Sequence, residues 1–325
     1  MLVDMEKIIV DTFKKTQKLD LVKTLEEYLS SLHIQRTLRK HFLTDVILKC
    51  MKDHTSVLVV KKKDELLGFA HLEHSEWDSH HFGFEIGKIK AIAFRKLERN
   101  RMWKPRRVLI SEVVNCALRK SFKCIICRVN TADMATIHTL ESEKFQLMDI
   151  LLTLIFEFRK KQQKIFNKLT NKNNIVIKPF TSSDITNLKE IARVSFSADH
   201  FHIDPRFPRE KVDDLYAKWI YNCCYKNRAD AVLVAHRGRK IAGFIACKIN
   251  KPYNYGVIEL VAVHPDFQGV GIGSSLVTKA LDWFSKRVNE VYVGTQIKNI
   301  SAVRLYQRAG FKFVKSEATF HRWLE

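Results

Sequence analysis

The most regular arrangement of apolar and polar residues lies in the last third of the chain. A nearly continuous apolar run from Val257 to Val263 is typical of a strand that is covered on both faces. His264-Pro265-Asp266 is predicted to end this strand, because proline cannot donate to a β-ladder. Apolar residues then recur at helical spacing and predict one buried helix face: Leu276, Val277, Ala280, Leu281 and Phe284.

A second strand and a second helix follow directly. Residues 291–295 have the composition of a strand, and residues 301–309 that of a helix closed by Gly310 at its C-cap. Upstream, the pattern predicts three further elements: a strand at 175–180, a helix capped by 181–184, and a hairpin formed by 232–235 and 241–249. The second half therefore reads strand, helices, hairpin, strand, helix, strand, helix.

The first half repeats part of this order. It contains a similar hairpin at 57–72, a helix at 108–118 and a strand at 124–129. When Phe145 is aligned with Phe311, Leu140 falls on Tyr306 and Lys144 on Gly310. The length of 325 residues suits two domains, and a polar stretch separates the halves. We predict a first domain at 1–160, a linker at 161–174 and a second domain at 175–325.

The segment from Gln268 to Gly273 is a glycine-rich loop placed between a strand and a helix. Glycines let a backbone approach a ligand, and the N-terminus of a helix attracts a pyrophosphate. Ser274 and Ser275 are predicted to cap the helix. A Walker A loop would need a lysine that is absent, and a dinucleotide fingerprint would need a different glycine spacing. In the first half, the counterpart at Pro105-Arg106-Arg107 has no glycine.

The remaining pattern, Q/R-x-x-G-x-G/A, resembles the GNAT superfamily of acetyl-CoA-dependent N-acetyltransferases, and so do residues 295–299 and 306–311. The resemblance implies an α/β (α+β) protein of tandem GNAT-like domains, each a mixed, mostly antiparallel twisted sheet flanked by helices, with the first domain degenerate. It implies that acetyl-CoA is the cofactor and assigns its contacts to Val261, Ala262, Val263, Gln268, Gly269, Val270, Gly271, Ile272, Gly273, Ser274, Asn299, Ala302 and Tyr306.

The chemistry implied by the resemblance is attack of an amine on a thioester. A backbone N–H of the strand at 260–263 would stabilise the oxyanion. Tyr306 is the candidate general acid for the departing thiolate, the alternative being an ordinary core aromatic. Glu259 is the candidate general base, the alternative being a structural carboxylate. Asp78, His81 and His202 are other candidate bases, and water alone is a further alternative.

Three parts of the chain resemble the TDP-fucosamine acetyltransferases, which acetylate a nucleotide-linked amino-deoxy sugar. They are Trp77-Asp-Ser-His-His-Phe-Gly83, residues 195–207 followed by 215–220, and residues 295–296 with 299–306. A paired histidine at 80–81 departs from that family's aromatic position. The resemblance assigns acceptor contacts to Trp77, Phe82, Gly83, His202 and Arg206. For the first three, the alternative is a turn packed on the core of the first domain.

Other acceptors and one other class stay open: a protein amine, a polyamine, an aminoglycoside, or a basic RNA-binding or aminoacyl-tRNA-dependent module. Lysine and arginine number 56 against 35 acidic residues, a formal charge of +21 that attracts polyanions. No nucleic-acid motif accompanies this charge.

Seven cysteines without framework spacing favour a reducing compartment. The histidines and Cys124-x-x-Cys127 form no recognisable metal motif, so we expect no metal. The N-terminus does not resemble a signal peptide, and the apolar stretch at 150–158 is too short to span a bilayer. A cytoplasmic protein is expected, with a homodimer as the default assembly.

Overall fold

The computed structural model describes residues 8–32, 36–96, 103–158, 175–196 and 199–324. The first half contains, in order, β1 Ile8–Thr12, α1 Lys18–Ser31, α2 Arg36–Lys52, β2 Val57–Lys62, β3 Glu65–His74, α3 Glu76–Phe82, β4 Ile86–Phe94, α4 Trp103–Arg119, β5 Cys124–Asn130, α5 Met134–Ser142 and β6 Gln146–Glu157. The second half contains β7 Ile175–Pro179, α6 Ile185–Ser195, α7 His200–Ile203, α8 Arg209–Tyr225, β8 Ala231–Arg237, β9 Lys240–Asn250, β10 Tyr255–Val263, α9 Ile272–Ser285, β11 Glu290–Gln296, α10 Ile300–Arg308 and β12 Lys312–Trp323.

The chain forms two compact units that are not sequential. Unit 1 comprises Met1–Ile150 together with Ser316–Glu325, and unit 2 comprises Leu151–Lys315. The strand order in unit 1 is β1-β2-β3-β4-β5-β12, and in unit 2 it is β7-β8-β9-β10-β11-β6. Each unit is thus completed by the last strand of the other half of the sequence.

The two sheets have the same pattern of strand directions. Within unit 1 the β4–β5 pair is parallel and the other pairs are antiparallel. Within unit 2 the β10–β11 pair is parallel and the others are antiparallel. Each parallel pair requires a crossover connection, which α4 provides in unit 1 and α9 in unit 2. The expectation of mixed, mostly antiparallel sheets flanked by helices is confirmed.

The predicted domain limits are corrected, because each half of the sequence contributes its last strand to the other unit. We call this arrangement the exchange of final strands. Residues 317–323 of β12 pair with β5, and residues 151–157 of β6 pair with β11. The alternation of side chains along a strand tells which face is buried, but it does not tell which strand is the neighbour. The sequence therefore predicted consecutive domains, and the predicted linker at 161–174 lies outside the described residues.

The predicted internal repeat is confirmed at the ends of α5 and α10. Lys144 has φ 63°, and Gly310, its predicted counterpart, has φ 93°. The N–H of Phe145 donates to the carbonyl of Leu140 at 2.9 Å, and the N–H of Phe311 donates to that of Tyr306, also at 2.9 Å. Both helices are thus closed by the same left-handed turn.

The helices that follow the parallel strands bury the faces that the sequence predicts. In α9 the five apolar residues of the stripe are buried against the sheet of unit 2. In α4, Leu109, Ile110 and Val113 are buried in the core of unit 1. Pro105-Arg106-Arg107 lies inside the first turns of α4 rather than in a loop. Within the described residues, no helix is both long and apolar enough to cross a bilayer.

Candidate functional site

The glycine loop of unit 2 connects the end of β10 to the start of α9. Gly269 and Gly271 have φ of 77° and 92°, in the left-handed region where a side chain is strained. A Cβ atom added to either glycine would meet no atom within 4 Å. The space beside the loop is therefore open, and the backbone conformation is what demands glycine at both positions.

The start of α9 presents backbone donors beside this open space. The first helical hydrogen bond runs from the N–H of Ser275 to the carbonyl of Gly271 at 3.0 Å. The N–H groups of Ile272, Gly273 and Ser274 consequently have no acceptor within the helix, and the helix dipole adds a partial positive charge. The predicted serine cap is corrected, because the N-cap is Gly271 and the Ser275 hydroxyl donates to the same carbonyl at 3.1 Å. These donors fit a pyrophosphate.

A gap opens between β10 and β11 next to the loop. Their parallel pairing covers Gly256–Ile258 against Val291–Val293 and stops there, although β10 continues to Val263. The other edge of β10 remains paired with β9, and the N–H of His264 donates to Ala242 at 2.9 Å. Because backbone groups alternate along a strand, those of Val261 and Val263 point into the gap and those of Ala262 point toward β9.

The backbone carbonyl and N–H groups that face the gap differ in whether they already have hydrogen-bond partners. The carbonyl of Val263 already accepts hydrogen bonds from the side chains of Gln268 at 3.1 Å and Ser195 at 3.3 Å. The N–H groups of Val261 and Val263 face the gap and can bind a carbonyl oxygen there. Of the three predicted cofactor contacts on β10, Val261 and Val263 offer backbone donors, whereas Ala262 is a buried part of the wall.

Asn299 begins the helix that carries Tyr306. Its Oδ1 atom accepts a hydrogen bond from the N–H of Ala302 at 3.1 Å and another from the hydroxyl of Ser301 at 2.9 Å. The predicted contacts Asn299 and Ala302 therefore share one capping turn. This turn follows directly on β11, the strand that forms the other wall of the gap.

Tyr306 is buried in the core of unit 2, with its ring 5.5 Å from that of Phe311. Burial raises the pKa of the phenol above its ordinary value, so the group is protonated at neutral pH. Its hydroxyl makes no hydrogen bond to any residue that the structure describes, and it is not among the fully buried polar atoms without a partner, so it keeps some access to open space. A hydroxyl in this position can reach a ligand atom, which a phenylalanine could not. The environment thus suits a proton donor.

Glu259 lies at a β-bulge of β10, between Ile258 and Leu260, where the pairing with β9 shifts register. A bulge redirects the side chain of the strand that contains it. The Oε2 atom of Glu259 is 3.5 Å from Nε of Arg228, whose guanidinium lies 4.2 Å above the ring of Trp219. The carboxylate is therefore held in place, four-fifths buried, by an arginine that is itself fixed on an aromatic ring.

A row of rings runs from Trp219 on α8 to His202 on α7. Trp219 stacks on Tyr216 with ring centroids 5.8 Å apart, and Tyr216 on His202 at 6.2 Å. The imidazole faces Asp199 through Nδ1 at 2.6 Å and Asp213 through Nε2 at 3.5 Å. Burial alone would raise the pKa of Asp199, but the hydrogen bonds from His202 and Tyr216 hold it below its ordinary value.

His202 and Arg206 are both engaged within unit 2. The side chain of His202 is almost fully enclosed between the two carboxylates, which favours a positioning role over direct contact with an acceptor. Nε and Nη2 of Arg206 contact the two oxygens of the buried carboxylate of Asp204 at 2.8 and 3.2 Å. One edge of the Arg206 guanidinium, a predicted acceptor contact, is thus occupied by Asp204.

The predicted acceptor residues of unit 1 lie in and after α3. The ring of Phe82 is only 2% exposed, so it is a core residue and offers no surface to a ligand. Gly83, with φ 82°, closes α3 by donating its N–H to Ser79 at 2.8 Å. For these two residues the alternative of a turn packed on the core is correct. Trp77 is 38% exposed and stacks on His81 at 5.3 Å, so its outer face is available.

The other candidate bases of unit 1 are also engaged. Asp78 is buried, accepts a hydrogen bond from Ser75 at 2.6 Å and is paired with Lys88. His81 is buried between Trp77 and Phe82. Among the described residues, no three histidine, cysteine, aspartate or glutamate side chains are grouped to hold a metal ion.

Sequence reasoning missed Asp199, Arg228 and Ser195. Asp199 had a usable signal, because it precedes His202 by three residues and caps α7. Arg228 approaches Glu259 from 31 positions away along the chain, and the hydroxyl of Ser195 reaches Val263 from even farther. No local pattern indicates such contacts.

Comparison with known proteins agrees with this geometry. The model of the Acetyltransferase (GNAT) family matches residues 187–311, which include the glycine loop and Tyr306. An uncharacterized N-acetyltransferase of Archaeoglobus fulgidus is 30% identical over 132 residues, which is 38% of this chain and 86% of that protein. The chain belongs to the GNAT family of acetyltransferases. Acetyl-CoA is the cofactor of this family, and the loop, the gap and the capping turn of α10 fit it.

Two further relatives of this GNAT protein have informative names. The spore coat polysaccharide biosynthesis protein SpsD of Bacillus subtilis is 27% identical over 146 residues, 45% of this chain and 50% of that protein. The human N-alpha-acetyltransferase 30 is 29% identical over 123 residues, 37% of this chain and 33% of that protein. The chain thus spans half or less of the length of these two relatives.

Solved structures show the same fold across the whole GNAT chain. A GCN5-related N-acetyltransferase from Sphaerobacter thermophilus has a TM-score of 0.69 at 12% identity, covering 97% of this chain and 95% of that one. A tandem GNAT protein from the clavulanic acid biosynthesis pathway has a TM-score of 0.59 at 10% identity, covering 98% of both chains. The expectation of tandem GNAT-like folds is confirmed.

Replacing Gly271 by alanine tests the loop. Alanine at φ 92° is expected to cost about 1–2 kcal/mol and to turn the backbone donors away from the ligand. Calorimetric titration should then show affinity for coenzyme A reduced about tenfold or more. Gly238→Ala is the matched control, because Gly238 also has positive φ and open space but lies in the β8–β9 hairpin. Equal affinities in the two variants would show that the loop does not bind coenzyme A.

Proposed function

We propose that this GNAT protein transfers an acetyl group from acetyl-CoA to the amino group of a nucleotide-linked amino-deoxy sugar. The observation that carries the transfer is the convergence, within unit 2, of the glycine loop, the gap beside β10 and the buried, protonated Tyr306. The proposed acceptor rests on less: the similarity to SpsD and the exposed ring of Trp77.

Each residue has a distinct task in the proposed reaction. Acetyl-CoA supplies an acyl group activated as a thioester. The N–H groups of Val261 and Val263 stabilise the negative charge that develops on the carbonyl oxygen. Tyr306 gives its proton to the sulfur as the carbon–sulfur bond breaks, and Glu259 accepts the amine proton as the carbon–nitrogen bond forms. Bulk water then returns the phenol and the carboxylate to their starting protonation states.

The charge of the chain supports an anionic acceptor. With a formal charge of +21, the protein attracts both coenzyme A and a nucleoside diphosphate sugar from solution. The outer face of Trp77 can stack on a base or on the apolar face of a sugar.

A protein amine is the second candidate acceptor. The similarity to N-alpha-acetyltransferase 30, over 123 residues, favours it. The two acceptors differ in what the protein must recognise. A nucleotide-sugar presents a diphosphate and a base, whereas a protein N-terminus presents an extended peptide.

An acetylation screen separates the two acceptors. Purified protein and acetyl-CoA are incubated with TDP- and UDP-linked amino sugars in one series and with short N-terminal peptides in another, with release of free thiol as the readout. We expect turnover on a nucleotide-linked amino sugar, and a turnover reduced by at least about two orders of magnitude in a Tyr306→Phe variant. Activity confined to peptides would reject the sugar proposal and leave the acetyl transfer intact.

Glu259→Gln tests the proposed base. The substitution keeps the shape of the side chain but removes the proton acceptor, so kcat/KM at neutral pH should fall by about two orders of magnitude. Glu290→Gln is the control, because Glu290 lies on β11 and accepts a hydrogen bond from Tyr292 at 2.9 Å, away from the bulge. If Glu259→Gln retains the rate of Glu290→Gln, the amine loses its proton to water or to another group.

A further inference from the structure

Unit 1 contains a cavity of about 490 Å³. It lies where β4 ends and where α4 and α5 begin, with the end of α1 closing one side. In unit 2 the same three places, the end of β10 and the starts of α9 and α10, form the coenzyme site. The volume is within the range of pockets that hold a small organic ligand.

The cavity cannot receive coenzyme A in the way that unit 2 does. The start of α4 contains Pro105 and Arg106 in place of the glycine loop. Arg106 is buried, with its guanidinium 4.5 Å from the ring of Phe94 and its Nε donating to Thr136 at 3.3 Å. A ligand of this cavity must therefore differ from coenzyme A.

Asp133 places an unmatched acceptor in the wall of this cavity. Its Oδ1 caps α5 by accepting the N–H of Thr136 at 3.1 Å and lies 4.0 Å from Nη2 of Arg106. Its Oδ2 is buried and makes no hydrogen bond of good geometry to a residue that the structure describes, although the phenol of Tyr28, another residue of the lining, lies beside the carboxylate. The residue is only 8% exposed, so a well-aligned donor from a ligand would offset the cost of burying this oxygen.

An aromatic surface and a positive charge stand at the mouth of the cavity. Trp103 is 44% exposed and stacks on His138 with centroids 5.9 Å apart and planes 7° apart. Lys96 is exposed on the rim, at the end of the segment that follows β4. The cavity therefore combines a flat ring for stacking, a buried acceptor for an N–H group and a cation for an anionic group.

We propose that this cavity binds a mononucleotide, with the base stacked on Trp103, an N–H group of the base on Oδ2 of Asp133 and the phosphate near Lys96. A base offers a flat ring and N–H donors in one plane, and its phosphate supplies the negative charge. The site belongs to unit 1, is separate from the coenzyme loop of unit 2 and does not depend on the identity of the acetyl acceptor.

Calorimetric titration of the full-length protein with AMP, GMP, CMP and UMP tests this site. At least one nucleotide should bind with submillimolar or better affinity. Trp103→Ala should weaken that binding about tenfold or more, because it removes the stacked ring. Asp133→Asn should weaken it comparably, because asparagine still caps α5, as Asn299 caps α10, but presents a donor where the base needs an acceptor.

Coenzyme A separates this site from the loop of unit 2. Both unit 1 variants should bind coenzyme A as the wild type does, and Gly271→Ala should bind the nucleotide as the wild type does. The proposal is overturned if none of the four nucleotides binds, if binding survives both unit 1 substitutions, or if Gly271→Ala abolishes it. Absence of acetyl transfer to amino sugars would overturn the proposed acceptor alone, since these titrations measure no turnover.

Discussion

Replacing Tyr306 by phenylalanine is expected to lower kcat by about two to four orders of magnitude while leaving the affinity for coenzyme A nearly unchanged. The ring and its packing against Phe311 are retained, and the proton for the departing sulfur is lost. Folding stability should be nearly unchanged, because the phenol makes no hydrogen bond to any described residue.

Tyr292→Phe is the matched control for this prediction. Tyr292 is also a buried tyrosine of unit 2, but its hydroxyl donates to Glu290 at 2.9 Å. Its removal should lower the free energy of unfolding by about 1 kcal/mol and leave kcat unchanged. Thiol-release kinetics and urea unfolding on both variants measure the two effects. A Tyr306→Phe enzyme with normal kcat would show that another group protonates the sulfur.

The pH dependence of the wild type gives an independent check on Tyr306. Burial raises its pKa in the folded state above the value of about 10 for an exposed tyrosine. The stability contributed by the neutral phenol is therefore fully present below pH ~10 and is lost as pH rises through the higher folded value. We expect no alkaline fall in kcat from this group below pH ~10, so a fall near pH 8 must come from another residue.

The second large effect is expected at Phe320 in β12, a residue of unit 1 that has no part in the proposed chemistry. Phe320 is fully buried in the core of unit 1 and lies opposite Cys127 of β5. Phe320→Ala should lower the free energy of unfolding by about 3–5 kcal/mol, because it removes apolar burial and leaves a cavity. That is a large share of the about 5–15 kcal/mol that stabilises a typical domain.

The position of the damage distinguishes this prediction from general destabilisation. Hydrogen exchange should accelerate first in β3 to β5 of unit 1, although the substitution lies in β12, far from these strands along the sequence. Phe313→Ala is the control, since Phe313 lies on the same strand but is 59% exposed, and it should change stability by about 0.5 kcal/mol at most. Faster exchange confined to unit 2 in Phe320→Ala would contradict the exchange of final strands.

The parts that could be predicted from the sequence are those determined by neighbouring residues. The stripe on α9, the C-terminal turn at Gly310 and its counterpart at Lys144 all depend on spacing within one helix, and each is confirmed. The glycine loop was likewise evident from a strand, three glycines and a helix in succession. Only the capping residue of α9 was wrong, because Ser275 bonds back to Gly271 instead of standing before the helix.

The parts that could not be predicted depend on partners distant in the chain. The sequence showed that β12 was a strand, but nothing in its alternation identified β5 as its neighbour. The bulge at Glu259 and the approach of Arg228 need the registered pair of strands and the folded α8. The ion pair of Arg206 was missed for another reason: its partner Asp204 is only two residues away, but the sequence does not show that this carboxylate is buried.

The exchange of final strands also determines the order in which a growing polypeptide can fold on the ribosome. Every strand of unit 2 has been synthesised once residue 315 has been added, whereas unit 1 still lacks the edge that pairs with β5. The half that is translated first must therefore wait, with one side of β5 uncovered, until β12 has been synthesised. Termination before residue 316 would leave unit 2 with all of its strands and unit 1 without the strand that pairs with β5.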